Sequence, residues 1–446
     1  MKFIVIIICK LLVAAGRIFR KGTSLPGAVA LKLRPEILSE LRLPECVVAV
    51  SGSNGKTSTV EMIAYVLSMS GSRVIYNKEG SNQIEGVATL LLKNSDMFGR
   101  VKADAAILES DERYARHTFK YIKPTHFVVT NLYRDQLTRN AHPFWIYNIV
   151  KDAVDLVPDA DLILNCDDPI ITMYGQGRDN LHWFGMDKNA YSSPHTDCVY
   201  NDCFYCPRCK SRLTYSYFHY DHLGDYKCEH CGYGRPVPDY VVDRLELENS
   251  VMAVNGYDID LAFASRYNVY NICAAFSVCA VLGCDELMIS DILSDYVMKN
   301  GRIVRFRAGD NEGLLITSKH ENSTSYNRSL EYVASVREPC ILAVIVDQIS
   351  RKYYTSETSW LWDVSFELLA GSNVRKVLLC GRYAYDLAVR FSVGDFGGIE
   401  ICTVPDLDEM ARQLAEVKDL KIYAVTCFSD KDKLYDRVEV ESATAK

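Results

Sequence analysis

The sequence predicts an α/β protein made of two α/β domains. From Val47 onward, short apolar strands alternate with helical patterns, a Gly-rich turn follows the first strand, and a Cys-rich segment interrupts the alternation once. Such alternation is typical of a parallel sheet covered by helices on both faces. We therefore expect a first domain over 44–300 with an insert at 203–239, a second, Rossmann-like domain over 301–446, and a separate apolar segment over 1–43.

The individual elements follow from this alternation. Strands of the first domain are expected at 47–51, 72–77, 104–110, 126–132 and 161–168. Helices are expected at about 58–70, directly after the Gly-rich turn, and at about 268–283. The second domain repeats the pattern, with strands expected at 339–347, 376–382, 400–405 and 421–426.

The first nineteen residues are strongly apolar but are interrupted by basic side chains. The uninterrupted apolar run, 3–9, is far shorter than the roughly 20 residues that a membrane span needs. No small-residue cleavage pattern supports a signal peptide. Two interpretations stay open: a helix packed on the domain, or a helix on a membrane surface with four basic side chains towards lipid phosphates. Those side chains are Lys10, Arg17, Arg20 and Lys21.

Composition narrows the class of protein. Hydrophobic residues make up 48% and charged residues 24% of the 446 residues, which is ordinary for a globular protein. The net charge of −7 argues against a general nucleic-acid binder. The sixteen cysteines are scattered, which usually means buried thiols in a reducing compartment. We therefore expect a cytoplasmic protein, and the membrane-surface interpretation places it at the inner face of the cell membrane.

The stretch VVAVSGSNGKTST (47–59) is the strongest functional signal. An apolar strand enters a turn in which Gly52 and Gly55 let backbone N–H groups close around phosphate oxygens. Lys56 is expected to reach the terminal phosphates, and the Thr57 hydroxyl is expected to hold Mg²⁺. The helix that follows directs its positive N-terminus at the same anion. The predicted nucleotide-binding residues here are Gly52, Asn54, Gly55, Lys56, Thr57 and Ser58.

Acidic and amide side chains follow the next strands. Glu109 ends an apolar strand and is expected to bind the Mg²⁺ that bridges the β- and γ-phosphates, with Asp111 and Glu112 as rivals. Asp135 follows another strand end and is expected to support the metal ligands.

Asn165 and Asp168 lie in the sequence LNCDDP. Their side chains suit the adenine or ribose edge of a nucleotide. An Asx-rich turn before Pro169 explains them equally well, so both interpretations stay open.

Cys206, Cys209, Cys228 and Cys231 form two C-x2-C pairs that are separated by eighteen residues. Each pair can place two thiolates on one ion, so that the four complete a tetrahedral Zn²⁺ site. Four cysteines leave no open coordination position, and the expected role is structural. The neighbouring residues that we do not expect to be ligands are Cys198, Cys203, His219, His222 and His230.

Together these motifs resemble the Mur ligase family and, within it, the MurT family, the synthetase subunits of lipid II isoglutaminyl synthase. The resemblance covers nearly the whole chain and implies a Mur ligase-type central P-loop ATPase domain with an inserted zinc ribbon and a C-terminal ligase domain. The segments that carry it are GTSLPGAVALKL (22–33), TNLYRDQL (130–137), the four-Cys insert (206–236), RYNVYNICAA (266–275), NGR (300–302), SWLWDVSFE (359–367) and CGRYAYDLA (380–388).

The family resemblance implies a reaction. Mur ligases phosphorylate a carboxylate with ATP and let an amine attack the acyl phosphate. The MurT likeness implies that the α-carboxylate of D-Glu in lipid II is activated and then amidated to D-isoglutamine. ATP, Mg²⁺ and structural Zn²⁺ are the implied cofactors. Lipid II at the membrane surface and a GatD-like class I glutaminase, which supplies ammonia, are the implied partners.

The resemblance also assigns roles to residues outside the phosphate-binding turn. It implies that Asn268 and Asn271 lie near the nucleotide and that Arg302 reaches the γ-phosphate from the interdomain hinge. In the family, a carboxylate near the Ser-Trp pair completes the catalytic triad of the glutaminase. Glu357 or Asp363 takes this place here. Only about 45 residues precede the turn, too few for the UDP-binding domain of other Mur ligases, which fits a substrate already attached to lipid.

The C-terminal region departs from the family pattern. ENSTSYN (321–327) stands in place of an Asn-Pro-Ala-Gly-Phe-Asn-type loop, and VDQISRKYYTSET (346–358) in place of an Asp-rich segment. Cys427 and Phe428 replace a Tyr-Thr pair. Two other functions therefore stay open: a Mur-type amide ligase that acts on another cell-wall or carboxylate substrate, and a nucleotide-binding paralogue without catalysis.

Overall fold

The computed structural model describes residues 2–18, 24–77, 81–134, 140, 142–196, 202–262, 266–297, 303–319, 321–348 and 357–440. The chain divides into two compact units. The first comprises Met1–Tyr133 and His142–Met298, and the second comprises Arg134–Ala141 and Lys299–Lys446. Each unit holds a mainly parallel sheet with helices, which confirms the predicted α/β class.

The first unit contains the elements from α1 to α8. Its helices are α1 (Lys2–Ile18), α2 (Leu25–Leu33), α3 (Lys56–Met69), α4 (Ile84–Lys93), α5 (Ala115–Thr118), α6 (Pro143–Asp155), α7 (Arg266–Val281) and α8 (Glu286–Ser294), with 3₁₀ helices at Pro35–Glu40, Ile171–Gly175 and Leu247–Asn249. Its strands are β1 (Cys46–Ser51), β2 (Val74–Tyr76), β3 (Ala105–Glu109), β4 (His126–Val129), β5 (Asp161–Asn165), β6 (Leu181–Met186), β7 (Thr214–Tyr220), β8 (Leu223–Lys227), β9 (Tyr240–Glu246), β10 (Val251–Val254) and β11 (Tyr257–Asp260).

Nine of these strands form one sheet in the order β11-β10-β9-β6-β5-β4-β1-β3-β2. In this order, the seven strands from β9 to β2 pair in parallel. Strands β10 and β11 extend the sheet in antiparallel fashion, and the sequence analysis did not predict this extension. Strand β1 is central, with Val50 opposite both Glu109 and Val128. Since parallel strands end at the same edge, this register brings the ends of β1, β3 and β4 together.

Helix α1 packs on the first unit through one face. Val5, Ile6 and Cys9 are buried in a cluster that also includes side chains of α2, α4 and β1. Helices α1 and α2 therefore pack as part of this unit. Within the described ranges, no helix is both long and apolar enough to cross a membrane.

The second unit contains a seven-stranded sheet in the order β16-β15-β14-β17-β13-β12-β18. The five strands from β16 to β13 in this order pair in parallel, whereas β12 pairs with β13 and β18 in antiparallel fashion. Its strands are β12 (Ile303–Ala308), β13 (Asn311–Ser318), β14 (Cys340–Ile345), β15 (Val374–Cys380), β16 (Glu400–Val404), β17 (Lys421–Cys427) and β18 (Glu439–Val440). Its helices are α9 (Ser323–Ala334), α10 (Ala384–Ser392), α11 (Leu407–Ala415) and α12 (Lys431–Tyr435), with 3₁₀ helices at Ser359–Asp363 and Phe366–Leu369.

Candidate nucleotide site and four-cysteine cluster

The predicted phosphate-binding turn joins β1 to α3. Gly52 and Gly55 have φ values of 132° and 85°, which L side chains rarely adopt. A Cβ atom at Gly55 would lie 1.9 Å from Oδ1 of Asn271, and one at Gly52 would lie 2.3 Å from Oγ1 of Thr130. Helix α3 begins at Lys56, two residues before the predicted start. Lys56 and Thr57 therefore lie in the first helical turn, where backbone N–H groups have no partner within the helix.

The segment after β4 holds this turn in place. The backbone N–H of Ser53 donates to the carbonyl of Asn131 (2.8 Å), and the N–H of Asn54 donates to Oδ1 of Asn131 (2.8 Å). Oγ1 of Thr130 donates to the carbonyl of Asn54 (2.8 Å). The sequence analysis gave Thr130 and Asn131 no role, although both lie in the TNLYRDQL segment that follows a predicted strand. Their bonds fix the conformation of this turn.

Glu109, a predicted Mg²⁺ ligand, contacts Thr57, the other predicted ligand. Oγ1 of Thr57 donates to Oε2 of Glu109 (2.8 Å), and Nδ2 of Asn82 donates to Oε1 of Glu109 (3.0 Å). The hydroxyl and the carboxylate thus meet directly after the phosphate-binding turn. Both are hard oxygen ligands, so this donor pair fits Mg²⁺.

The two rival carboxylates have other partners. Nζ of Lys56 lies 2.6 Å from Oε1 of Glu112, and it also donates to the carbonyl of Gly52. The side chains of Lys56 and Glu112 are only 8% and 3% exposed, so this is a buried ion pair. Oδ1 of Asp111 accepts a bond from the N–H of Arg113 (3.0 Å). In these contacts Glu112 neutralises the ammonium group of Lys56, and Asp111 caps a turn.

The two asparagines of α7 are both buried. Among the residues that the structure describes, Nδ2 of Asn271 has no hydrogen-bond partner, and its Oδ1 faces the position of Gly55. A buried amide without a partner is costly, and a phosphate oxygen at the turn is an acceptor that could satisfy it. This orphaned donor fits the predicted proximity of Asn271 to the nucleotide. Asn268 lies one helical turn earlier, in the first turn of α7.

Asn165 and Asp168 are fully buried and bond to the protein. Nδ2 of Asn165 donates to the carbonyl of Thr130 (3.0 Å). Oδ2 of Asp168 accepts from the N–H of Leu132 (2.9 Å), and its Oδ1 accepts from the N–H of Ile170 (2.8 Å). Both residues therefore support the segment that holds the phosphate-binding turn. Their assignment to the adenine or ribose stays a prediction.

The remaining candidate residues belong to other parts of the chain. Asp135 and Arg302 lie outside the described residues. Glu357 is exposed, and a hydrogen bond from the N–H of Ser359 (2.8 Å) lowers the pKa of its carboxyl group. The side chain of Asp363 is only 10% exposed, and its Oδ2 lies 4.0 Å from Nη1 of Arg134.

The four predicted zinc ligands form one cluster. The Sγ atoms of Cys206, Cys209, Cys228 and Cys231 all lie within 4.8 Å of one another. The Cys206–Cys231 and Cys209–Cys228 distances are 3.7 Å and 3.4 Å. Four sulfurs at about 2.3 Å from a tetrahedral Zn²⁺ lie about 3.8 Å apart, so the cluster fits this ion after small shifts of the sulfur atoms.

Adjacent buried aspartates attach the insert to the sheet. Nε of Arg235 lies 2.5 Å from Oδ1 of Asp167, and Nε2 of His222 lies 3.4 Å from Oδ2 of Asp168. Burial opposes protonation of His222, but Asp168 and other nearby carboxylates outweigh it and raise the pKa of the imidazole. The hydroxyl of Tyr270, in α7, also donates to Asp167 (2.6 Å). The cluster is thus connected through short polar contacts to the domain that carries the phosphate-binding turn.

Two known protein families match separate parts of this chain. The family described as Mur ligase middle domain matches residues 50–204, and the family described as MurT ligase C-terminal matches residues 320–430. The MurT subunit of lipid II isoglutaminyl synthase (glutamine-hydrolyzing) from Streptococcus pneumoniae is 31% identical over 90% of this chain and 88% of that protein. The subunit of the same name from Staphylococcus aureus is 27% identical over 92% of this chain and 91% of that protein.

Solved structures share the fold. A pseudomurein peptide ligase type C from Methanothermus fervidus aligns with a TM-score of 0.66 and 20% identity, over 90% of this chain and 80% of the other. MurF from Acinetobacter baumannii aligns with a TM-score of 0.65 and 16% identity, over 92% of this chain and 79% of the other. At these identities the likeness is one of fold, and it confirms the predicted Mur ligase-type architecture.

Proposed function

This chain belongs to the MurT family, and from this premise we propose that it is the ATP-dependent synthetase subunit of a glutamine-hydrolysing lipid II isoglutaminyl synthase. In this proposal the α-carboxylate of D-Glu in the lipid II stem peptide is the acceptor. The observation that carries the proposal is the contact between Thr57 and Glu109 beside a turn shaped for phosphate.

The proposed reaction has two steps. A carboxylate oxygen of the acceptor attacks the γ-phosphorus of ATP, the bond to the β–γ bridging oxygen breaks, and ADP leaves. Ammonia then attacks the acyl carbon, loses a proton and expels phosphate, which leaves the amide of D-isoglutamine. Mg²⁺, when bound, neutralises charge on the phosphates, and Thr57 and Glu109 are the residues that would hold it.

Lys56 takes part in the first step by changing its partner. In the structure its ammonium group is paired with Glu112 beside the carbonyl of Gly52. A bound triphosphate offers oxygens with a larger negative charge at the same turn. We assign Lys56 to these oxygens, where it offsets the charge on the transferring phosphoryl group. Arg302 is assigned to the γ-phosphate by family resemblance alone.

The ammonia is proposed to come from a class I glutaminase that binds the second unit. Of the two candidate carboxylates for the glutaminase triad, Glu357 is exposed and Asp363 is largely buried. Oγ1 of Thr358 donates to Asp386 of α10 (2.9 Å), and this connects Glu357 to a helix with an apolar outer stripe. The stripe consists of Tyr385 and Val389 and of Val393 directly after the helix, which are 69%, 56% and 65% exposed. We therefore assign Glu357 to the triad and this stripe to the partner interface.

Mass spectrometry of lipid II tests the proposal. Lipid II is incubated with this chain, its glutaminase partner, ATP, Mg²⁺ and glutamine, and the product is expected to have one OH replaced by NH₂. Formation of this product must require both proteins, and ammonium salts must replace the partner and glutamine. Consumption of ATP without any change in lipid II would instead indicate a ligase with another acceptor. Nucleotide binding without turnover would indicate a paralogue without catalysis.

A further inference from the structure

We propose that the outer face of α1, with the adjoining part of α2, is a docking surface for a bilayer that contains anionic lipid. The role of this surface rests on the proposed function, because an enzyme with a lipid-linked substrate must reach that substrate at a membrane. The existence of the surface is argued from exposure, packing and charge. These observations involve none of the residues assigned to catalysis.

Among the side chains of α1 that the structure describes up to Gly16, those that are exposed are all apolar. Its positions recur every three or four residues, the spacing that places side chains on one face of a helix. Phe3, Ile4 and Leu11 are 50%, 56% and 64% exposed, which is unusual for large apolar side chains that lie together on one helix. The face consists of Phe3, Ile4, Ile7, Ile8, Leu11, Ala14 and Ala15, of which Ile7 and Ile8 are half-buried and the other five exposed.

The opposite side of α1 is fixed to the protein. Val5, Ile6 and Cys9 are buried in the core beneath the helix. Nζ of Lys10 donates to the carbonyl of Ser95 (2.5 Å). A helix held along one side cannot cross a bilayer, and α1 has only 17 residues. Its geometry instead suits the interface, where an amphipathic helix buries its apolar face about 5–10 Å deep.

Neighbouring elements enlarge the apolar surface. Helix α2 packs beside α1 and exposes Leu25 (61%) and Leu33 (53%). The turn that contains Gly99 lies against the start of α1, since a Cβ atom at Gly99 would be 3.2 Å from Nζ of Lys2. This turn exposes Phe98 to 82%. Large apolar side chains from three segments of the chain therefore lie at or beside α1.

The positive charge of the N-terminal segment favours an anionic membrane as the partner of this surface. Residues 1–34 contain seven basic residues and no acidic residue, whereas the remaining 412 residues contain 43 basic and 57 acidic residues. The basic residues are Lys2, Lys10, Arg17, Arg20, Lys21, Lys32 and Arg34. Arg34 is paired with Glu40 (2.6 Å), and anionic headgroups attract the other basic residues of this segment wherever they lie near the membrane surface. A second copy of this chain is disfavoured, because two such segments would repel each other across the interface.

A groove continues from the apolar face. It has a volume of about 520 Å³ and lies between α1, the edge strand β2 and α4. Ala14 belongs both to this groove and to the outer face of α1. Lys10 and Lys93 contribute to a lining that is otherwise mainly apolar. Such a mixed lining suits the phosphate and glycerol groups of a lipid headgroup and supports a bilayer as the occupant.

Flotation of the full-length chain with lipid vesicles tests this proposal. Vesicles of phosphatidylglycerol and phosphatidylethanolamine are compared with vesicles of phosphatidylcholine alone. We expect the chain to float with the anionic vesicles and to be released by high salt. The triple variant Phe3→Ser, Ile4→Ser, Leu11→Ser is expected to lose about tenfold or more of its vesicle partition, because three large side chains no longer enter the bilayer.

A matched variant controls for the loss of exposed apolar side chains elsewhere. Met69 and Leu287, on α3 and α8, are 61% and 58% exposed in the same unit. The variant Met69→Ser, Leu287→Ser should float like the wild type. The proposal is wrong if the wild type stays unbound, or if the triple variant floats equally well. It is also wrong if sedimentation shows a dimer that only the triple variant abolishes, because the occupant is then a second copy.

A second readout separates this proposal from the proposed function. Amidation of a short-chain, water-soluble lipid II analogue is measured in the same preparations of the wild type and the triple variant. Both are expected to amidate it equally, whereas amidation of lipid II in vesicles should fall in the triple variant. Vesicle binding without any amidation would remove the proposed function and leave the docking surface. Amidation without vesicle binding would do the reverse.

Discussion

The two units both place polar groups at the carboxyl ends of parallel strands, but they assemble them differently. In the first unit one continuous turn after β1 supplies Gly55, Lys56 and Thr57. In the second unit the comparable edge is built from separate segments. Oδ2 of Asp430, which follows β17, accepts bonds from the N–H groups of Asp347 and Gln348, which follow β14 (2.8 Å and 2.9 Å). A motif in one turn is visible in a sequence, whereas an assembly of separate strand ends appears only after folding.

The units also hold a buried carboxylate in different ways. Glu112 of the first unit has the ammonium group of Lys56 at 2.6 Å. Asp430 of the second unit is fully buried, and Nζ of Lys433 is 3.8 Å away. Burial raises the pKa of Asp430 to about 6, and the bond from Gln348 only partly opposes this. The first arrangement depends on an opposite charge and the second mainly on backbone dipoles, and this difference can be tested.

The largest effect is expected at Lys56. Lys56→Met should lower ATP turnover about 10³-fold or more, because the phosphates lose their cation. It should also lower the free energy of unfolding by about 3–5 kcal/mol, because Glu112 is left as an unpaired buried charge. ATP hydrolysis and urea unfolding measure the two effects.

The double variant Lys56→Met, Glu112→Gln separates these two roles. It should recover most of the lost stability, since no buried charge is left unpaired, but none of the lost turnover. Recovery of turnover would contradict the assignment of Lys56 to phosphate. Equal stability of the single and double variants would contradict a buried ion pair.

A substitution of Glu357, in the second unit, should affect the supply of ammonia and not the use of ATP. Glu357→Gln is expected to lower glutamine-dependent amidation about 10²-fold or more, because a triad without its carboxylate no longer orients the histidine. Amidation with ammonium salts should be unchanged, since Glu357 is not among the residues assigned to ATP or Mg²⁺. Asp363→Asn is the matched control and should leave both rates near wild type. A loss of both rates in Glu357→Gln would place this residue in the synthetase reaction instead.

The difference between the units also explains what the sequence could predict. The turn around Lys56, the carboxylate Glu109 and the four-Cys cluster each depend on short motifs or on residues at the end of an apolar strand. The pairing of Glu112 with Lys56 and the bonds from Asn131 to the turn depend on β1 lying between β3 and β4, an order that periodicity does not specify. The hairpin of β12 and β13 and the strands β10 and β11 were missed, because antiparallel additions carry no motif.

The sequence does not show which side of α1 is buried. Periodicity identifies the helix but cannot say which side is buried when both sides are apolar. Val5, Ile6 and Cys9 face the core, and Phe3, Ile4 and Leu11 face solvent, although all six are hydrophobic. Only the packing against α2 and α4 distinguishes the two sides.

Loss of the metal should affect the first unit alone. Cys209→Ser or a zinc chelator is expected to lower its melting temperature, because the sulfurs of the cluster, 3.4 to 3.7 Å apart in pairs, lose the ion that would join the two C-x2-C turns. Nucleotide affinity should fall only slightly, by about tenfold or less. The insert contacts Asp167 and Asp168, and its connection to the predicted phosphate-binding turn is indirect. Calorimetry with and without added Zn²⁺ measures the effect. A matched Cys46→Ser variant, changed outside the cluster, should show no dependence on zinc.

The smallest effect is expected at Asp430, where the second unit differs most from the first. The folded-state pKa of about 6 lies above the ordinary value of 3.8, so the folded protein binds more protons than the unfolded chain between these two pH values. The contribution of Asp430 to stability is therefore greatest below about pH 4 and is lost as the pH rises through 6. Above pH 6 the ionised carboxylate should cost about 2–3 kcal/mol relative to its protonated form.

Asp430→Asn tests this cost because the amide oxygen can still accept the bonds from Asp347 and Gln348 while carrying no charge. The variant should be more stable than the wild type at pH 8, and the difference should shrink as the pH falls towards 4. Asp432→Asn, which removes an exposed charge in α12, controls for net charge and should not change with pH in this way. Urea unfolding of the second-unit transition at several pH values measures the difference. If Asp430→Asn were less stable at every pH, the carboxylate would depend on the ammonium group of Lys433, as Glu112 depends on Lys56, and the two units would hold their buried acids in the same way.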